Sequence, residues 1–232
     1  LETVLGVRPG LKMNDIGILG RVSGHYGTVE TQGRGSLHLH LLVWIHGSKN
    51  PDELVELLKD SPGFNNDMID YLQNIIYEQF PKGEIPPSVE KQKDKTKHIC
   101  SDRPQNPDLD GYDKKAIEDL IKIIIECNIH KHTATCYKYG YANCRFEFER
   151  PVVDEAKIID QIVFLARKTG NGWVNNHNDV TSLTGRCNND IKYVCNGKDS
   201  KELAFYITDY ITNKALTTHH TYLLYTYDAP AT

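Results

Sequence analysis

Two histidines, His38 and His40, lie within a run of large apolar residues, SLHLHLLVWIH (36–46). The run is rich in β-forming residues and contains no proline, so it predicts a strand. Residues i and i+2 of a strand point to the same face, so both imidazoles share one face. If Glu30 lies on the neighbouring strand near His38, its carboxylate completes a three-ligand face for a divalent metal, with open positions for substrate. The alternative is a pair of hydrogen-bonded core histidines.

Two tyrosines form the second group that could do chemistry. Tyr206 and Tyr210 are spaced i, i+4 in DSKELAFYITDYITNK (199–214), a stretch that predicts a helix with both on one face. A tyrosine can attack a phosphodiester and form a covalent intermediate. Its hydroxyl has a pKa of about 10, so the phosphate must be polarised, which a metal can do. The alternative is a pair of packing tyrosines.

A loop rich in cysteine and histidine forms the third group, with the pattern HKHTATC-x7-C. Tetrahedral zinc prefers nitrogen and sulfur ligands at short spacings. His132, Cys136 and Cys144 are the strongest candidates. The fourth ligand is Cys100 or His130, with Cys100 as the working assignment. The loop is poor in apolar residues and needs another source of order, which favours a structural zinc over separate reduced cysteines.

The H-hydrophobe-H pair and the later Y-x-x-x-Y motif together resemble the two-tyrosine HUH endonucleases. The chain is similar to the Helitron-type Rep domain, the replication-initiator-like nuclease of eukaryotic rolling-circle transposases. In that family a superfamily-one DNA helicase follows the nuclease. Four stretches carry the resemblance: YGTVETQGRGSLHLHLLVWIHG (26–47), HTATCYKYGYANCRFEFERP (132–151), RCNNDIKYVCNGKD (186–199) and AFYITDYITNK (204–214).

This resemblance implies a role for each candidate residue. His38 and His40 would bind Mg²⁺ or Mn²⁺ with Glu30 as third ligand, and Tyr206 and Tyr210 would be the nucleophiles. The implied reaction is nicking of single-stranded DNA and strand transfer through a 5′-phosphotyrosine intermediate, in the nucleus. The implied fold is α+β, with an antiparallel sheet of about five strands flanked by helices and the HUH pair on a central strand.

Three other functions remain open. The chain could be a catalytically decayed, transposon-derived module that binds DNA without cutting it. It could be a metal-dependent phosphodiester hydrolase that uses His38, His40 and Glu30 with activated water, without a covalent intermediate. It could also be a structural or interaction protein, whose behaviour would not depend on a metal.

The elements that must position these groups can be read from hydrophobic periodicity and turn residues. Residues 21–31 and 36–46 predict an antiparallel hairpin, and the remaining pattern predicts further strands and helices. By parity Trp44 shares the face of the two histidines and is expected in the core, while Cys187 and Cys195 are expected to be buried thiols. The predicted helices cover 52–60, 66–79, 113–127 and 199–214, and the further strands cover 156–167 and 189–196.

Composition sets broad limits. The 232 residues are expected to form a single domain, 1–232, with a Cys/His-rich zinc-binding insertion at 97–150, and to be a fragment of a longer helicase-containing protein. A net charge of −4 argues weakly against nucleic-acid binding, because a local basic site matters more than the sum. The six cysteines favour a reduced intracellular protein. No apolar run approaches the roughly 18–20 residues of a membrane span, so no membrane partner is expected.

Overall fold

Two units make up the chain, and each is described by itself. The first contains the described residues up to Asp52 together with Lys201, and the second spans Glu53–Cys195. Both combine helices with antiparallel strands, so the expected mixed α+β class is confirmed. No helix in the described part of the chain is both long and apolar enough to cross a membrane. The computed structural model describes residues 2–8, 15–31, 37–86, 98–160, 162–194 and 201.

The first unit is built on a long β-hairpin. Its strands are hydrogen-bonded in the order β1-β2-β3, all antiparallel. The hairpin predicted from the alternating β-formers is therefore confirmed. The short first helix packs on β1 and β2, and its Leu5 is buried together with Val22 of β2. The elements are α1 (Glu2–Leu5), β1 (Ile16–Gly17), β2 (Gly20–Thr31) and β3 (Leu37–Ile45).

The second unit is mainly helical. Its core is a cluster of Phe80, Leu120, Ile124 and Val174, with partly buried isoleucines and Leu183 packed against it. The helix α4 continues directly into a π-turn at Ile124–Asn128 and packs against α5. The elements are α2 (Pro51–Asp60), α3 (Pro62–Ile75), α4 (Tyr112–Ile123), β4 (Lys157–Ile159), β5 (Ile162–Phe164) and α5 (Asp179–Gly185).

The three helices predicted within residues 52–127 are confirmed, and α3 differs most in its bounds. It begins four residues earlier than predicted, at Pro62, because Ser61 takes the N-cap position and proline suits the first helical turn. It ends at Ile75 because Tyr77 already pairs with His177 in an antiparallel bridge. The helix predicted at 199–214 lies outside the described residues, apart from Lys201.

Two strand predictions are wrong. The stretch 156–167 is not one strand: it folds back at Asp160, whose φ is positive, into the short pair β4 and β5. The stretch 189–194 is irregular, because asparagine side chains occupy the carbonyls that a strand would offer to a neighbour. Asn128 donates to the Asn189 carbonyl at 3.0 Å, and Asn176 donates to the Ile191 carbonyl at 3.5 Å.

The five-stranded sheet expected from the resemblance is not seen in the described residues. There the strands form one sheet of three and a separate pair, β4-β5. The strand that carries the two histidines, β3, has β2 as its hydrogen-bonded neighbour within the described ranges. The fold is therefore established as mixed α+β, and the described residues carry the hairpin rather than a complete HUH sheet.

Burial along the α4 segment predicts the cost of truncating its isoleucines. Ile124 is 0% exposed, whereas Ile117 is 43% exposed. We expect Ile124→Ala to lower the free energy of unfolding by about 2–5 kcal/mol, because it leaves a cavity in the core cluster. The same change at Ile117 should cost no more than about 1 kcal/mol, since little apolar surface is lost from the core. Denaturant unfolding of both variants checks this, and equal losses would contradict the packing described.

Candidate metal centres

The hairpin places Glu30, His38 and His40 on one face. Glu30 lies directly opposite His38 in the register of β2 and β3, and Thr28 lies opposite His40. Directly opposed residues of an antiparallel pair point to the same side, and so do residues two apart on one strand. The two imidazole rings pack edge to face with their centroids 4.6 Å apart. The three side chains proposed as ligands from the sequence are therefore brought together by backbone pairing alone.

Burial differs across this face. Glu30 is only 8% exposed, and its Oε2 lies 3.8 Å from His40 Nε2. His38 is exposed. A carboxylate is rarely buried unless a cation or hydrogen-bond donor compensates it, so its position beside two imidazoles suits cation binding. Two nitrogens and one carboxylate oxygen can serve Mn²⁺ or Mg²⁺ from one side, which leaves coordination positions open on the other.

Trp44 is exposed, although the sequence predicts it in the core. It shares the face of the two histidines by parity, but it is 53% exposed. Its cross-strand partner is Gly24, which has no side chain to cover it. A Cβ built on Gly24 would lie 3.8 Å from the indole Cε3, so the ring rests over bare backbone. The aromatic ring is thus presented to solvent on the same face as Glu30, His38 and His40.

A second, more closely gathered group lies in the other unit. His130, His132, Cys136 and Cys144 each direct one ligand atom inward, and these atoms all lie within 4.8 Å of one another. His130 Nε2 is 3.4 Å from Cys136 Sγ and 3.5 Å from Cys144 Sγ. Ligands at the usual zinc–sulfur and zinc–nitrogen lengths, arranged tetrahedrally, are about 3.5 Å apart. This His₂Cys₂ cluster can bind a metal such as zinc.

Local backbone hydrogen bonds shape this cluster. The short 3₁₀ segment Ala134–Gly140 begins after Thr133, whose carbonyl accepts from the Cys136 amide at 2.9 Å, while its own amide lies 3.4 Å from Cys136 Sγ. The Arg145 amide donates to the Cys136 carbonyl at 3.0 Å, which brings Cys144 alongside. Two turns, rather than a core, therefore hold the two thiols together.

The protonation of the cluster favours metal binding. Burial, with the nearby His132 and Arg150, lowers the pKa of His130, so its neutral ligand form is favoured. Burial acts to raise the pKa of Cys144, but hydrogen bonds to its sulfur from backbone N–H groups and from the Cys136 side chain together lower it overall. A thiolate that accepts amide hydrogen bonds is a good zinc ligand, because only the deprotonated form coordinates.

Two aromatic residues that the sequence did not assign to the site fix the His130 ring. Phe148 stacks on it with ring centroids 4.1 Å apart and an interplanar angle of 5°. Trp173 lies nearly parallel at 6.4 Å and meets His132 edge-on at 5.2 Å. The His130 amide also donates to the Trp173 carbonyl at 2.8 Å. The distances from its Nε2 make His130 the fourth member of the group, and these rings hold its imidazole in place.

Other candidate residues lie elsewhere. Cys100, the working assignment for the fourth zinc ligand, is not in the His130 group: its sulfur lies 3.1 Å from His98 Nδ1. Cys187 is exposed rather than buried as expected. Tyr206, Tyr210 and Cys195 lie outside the described residues, so their predicted roles stay predictions.

Comparison with known proteins relates one stretch of the chain to a protein family. No curated protein and no solved structure matches the chain. Residues 4–43 match the family model described as the Helitron helicase-like domain at the N-terminus. The matched stretch contains Glu30, His38 and His40, and it ends inside β3. The N-terminal region of this chain is therefore related to Helitron proteins, which points to a transposon-related function.

Proposed function

We propose that this chain nicks single-stranded DNA and transfers strands during rolling-circle transposition, through a covalent 5′-phosphotyrosine intermediate. The observation that carries the proposal is the shared face of Glu30, His38 and His40 on β2 and β3. This face lies within the Helitron-related stretch. The proposal includes nuclear localisation and a helicase region C-terminal to this chain in the parent protein.

In the proposed reaction, the chain's residues have distinct tasks. His38, His40 and Glu30 would hold a divalent ion, Mg²⁺ or Mn²⁺, through two imidazole nitrogens and one carboxylate oxygen. When bound, the ion supplies positive charge that polarises the phosphate and offsets charge in the transition state. Glu30 and His40 are largely shielded from solvent at this face, so the charges of the Glu30 carboxylate and of a bound ion would act in a medium that screens them less than water does.

Tyr206 or Tyr210 is the proposed nucleophile. Its hydroxyl gives up its proton as the oxygen attacks phosphorus, and the bond from phosphorus to the 3′ oxygen breaks. The departing oxygen takes a proton and becomes a free 3′-hydroxyl, while the 5′-phosphate stays on the tyrosine. The second tyrosine could then repeat the step on another strand, and attack by the free 3′-hydroxyl on a phosphotyrosine completes the transfer.

A covalent-capture assay tests this proposal. The protein is incubated with labelled single-stranded oligonucleotides of varied sequence, with Mn²⁺ or with EDTA, and resolved on a denaturing gel. We expect a Mn²⁺-dependent protein–DNA band that the Tyr206→Phe and Tyr210→Phe double variant does not form. His40→Ala should reduce the band by about 100-fold or more, because the charge stabilisation that a metal provides is worth several kcal/mol.

The hairpin supplies a matched control. His25 lies on β2 opposite Val43, and by strand parity it points to the other face. His25→Ala should therefore leave the band unchanged. Cleavage without an adduct would overturn the covalent step and favour a hydrolase. DNA binding with neither cleavage nor adduct would favour a decayed module, and an adduct that persists in EDTA would remove the metal from the mechanism.

A further inference from the structure

We propose that His98, Cys100, Cys127 and Cys187 form a second zinc site in the Glu53–Cys195 unit. These residues take no part in the His130 group or in the proposed nuclease face. Three thiols and one imidazole make a donor set that structural zinc commonly uses. This inference does not depend on the proposed nuclease function.

The first two ligands come from one short turn. His98 is the N-cap of the 3₁₀ turn Ile99–Ser101. Its Nδ1 lies 3.1 Å from Cys100 Sγ and 3.3 Å from the Cys100 amide nitrogen. A nitrogen and a sulfur donor are thus already side by side, with the imidazole turned toward the thiol. This pair can serve as one half of a tetrahedral site.

A buried arginine joins the backbone segments that carry the three thiols. Arg186 donates from Nε to the Ile99 carbonyl at 3.0 Å, and Ile99 precedes Cys100. The other guanidinium nitrogens bind both oxygens of Asp119 on α4, one of them at 2.9 Å. Arg186 itself precedes Cys187. One side chain therefore connects the turn that carries Cys100, the helix that leads to the π-turn of Cys127, and the segment of Cys187.

A second polar contact brings the Cys127 segment against the Cys187 segment. Asn128, the residue after Cys127, donates from Nδ2 to the Asn189 carbonyl at 3.0 Å, and Asn189 lies two residues after Cys187. Thiolates gathered in this way repel one another, and a divalent cation removes this repulsion because it binds the thiolates directly.

The ligand atoms of the second site are less closely gathered than those of the His130 group. Among the described residues, only the His130 group brings its ligand atoms within 4.8 Å of one another. Binding would therefore have to draw Cys127 and Cys187 toward the His98–Cys100 pair. We expect zinc to bind the His130 group more tightly and to enter the second site at higher free zinc.

Zinc content measures the site directly. Protein purified with zinc and under reducing conditions is analysed for zinc per chain, as wild type and as Cys127→Ser, Cys187→Ser and Ser101→Ala. We expect each cysteine variant to carry one equivalent less than wild type. Ser101→Ala, which changes the same turn without removing a donor, should retain the wild-type content. Unchanged zinc in both cysteine variants would overturn the proposal.

Cadmium titration of the wild-type protein covers the case in which a variant does not fold. Thiolate-to-cadmium absorbance should rise in two phases, the first from the two thiolates of the His130 group and a larger one from three. A single phase that saturates with two thiolates would overturn the site. Thiol labelling of denatured, unreduced protein provides a further check: a disulfide among Cys100, Cys127 and Cys187 would also overturn it.

Discussion

Replacing Cys136 by serine should release the metal of the His130 group and destabilise the Glu53–Cys195 unit. Cys136 is 1% exposed, and its sulfur both accepts a hydrogen bond from the Thr133 amide and belongs to the His130 group. Structural zinc contributes about 10–16 kcal/mol of apparent binding free energy at neutral pH, and this energy stabilises only the folded state. We expect the melting temperature to fall by about 10 °C or more, since each kcal/mol is worth roughly 2–4 °C in a protein of this size.

Thermal unfolding with parallel zinc analysis checks this expectation. Tyr137→Phe is the control, because Tyr137 is exposed in the same 3₁₀ segment and offers no ligand to the group. A strong chelator should reproduce the loss in the wild type, while the melting temperature of Cys136→Ser should respond far less to it. A variant that melts like the wild type, whether or not it has lost zinc, would show that the group does not stabilise the fold.

Replacing Arg186 by methionine should strongly destabilise the Glu53–Cys195 unit. Its guanidinium and the carboxylate of Asp119 form a buried ion pair, with side chains 4% and 8% exposed. Removal of the arginine leaves a buried charge without compensation, which costs about 3–5 kcal/mol. Asp119 also raises the pKa of Arg186, mainly by hydrogen bonding, so the guanidinium keeps its charge.

Denaturant unfolding measures the loss, and the same unit offers a matched control. Lys192 and Asp190 form an ion pair at 3.7 Å with side chains 65% and 43% exposed. Lys192→Met should therefore change stability by less than about 1 kcal/mol. The double variant Arg186→Met, Asp119→Leu should recover part of the loss, because it removes the stranded charge. Equal effects of the two single variants would contradict the burial of the Arg186 pair.

Local patterns predicted the parts of the site that depend on local geometry. The β-hairpin and its histidine face follow from period-two alternation, and the Cys136–Cys144 pair follows from short spacing. The fourth member of the His130 group could not be chosen from the sequence, because Cys100 and His130 are both suitable zinc ligands. What distinguishes them is the stack of Phe148 and Trp173 on the His130 ring, which depends on tertiary contacts.

Long-range polar contacts explain most of what the sequence could not predict. Arg186 and Asp119 are 67 residues apart, and the buried Arg167 pairs with the partly buried Glu78 from 89 residues away. The stretch 189–194 has the alternation of a strand, but the side chains of Asn128 and Asn176 donate to two of its backbone carbonyls. Apolar periodicity does not indicate which polar side chains from distant parts of the chain will hydrogen-bond to a given segment.

The pairing of Glu30 with His38 means that the shared face of Glu30, His38 and His40 depends on strand alignment as much as on residue type. A slip of one residue between β2 and β3 would bring Val29 or Thr31 opposite His38 and turn Glu30 to the other side of the sheet. All three residue types would still be present in such a sequence. The H-hydrophobe-H motif alone is therefore an incomplete criterion for such a shared face, and the number of residues between the two strands must be considered with it.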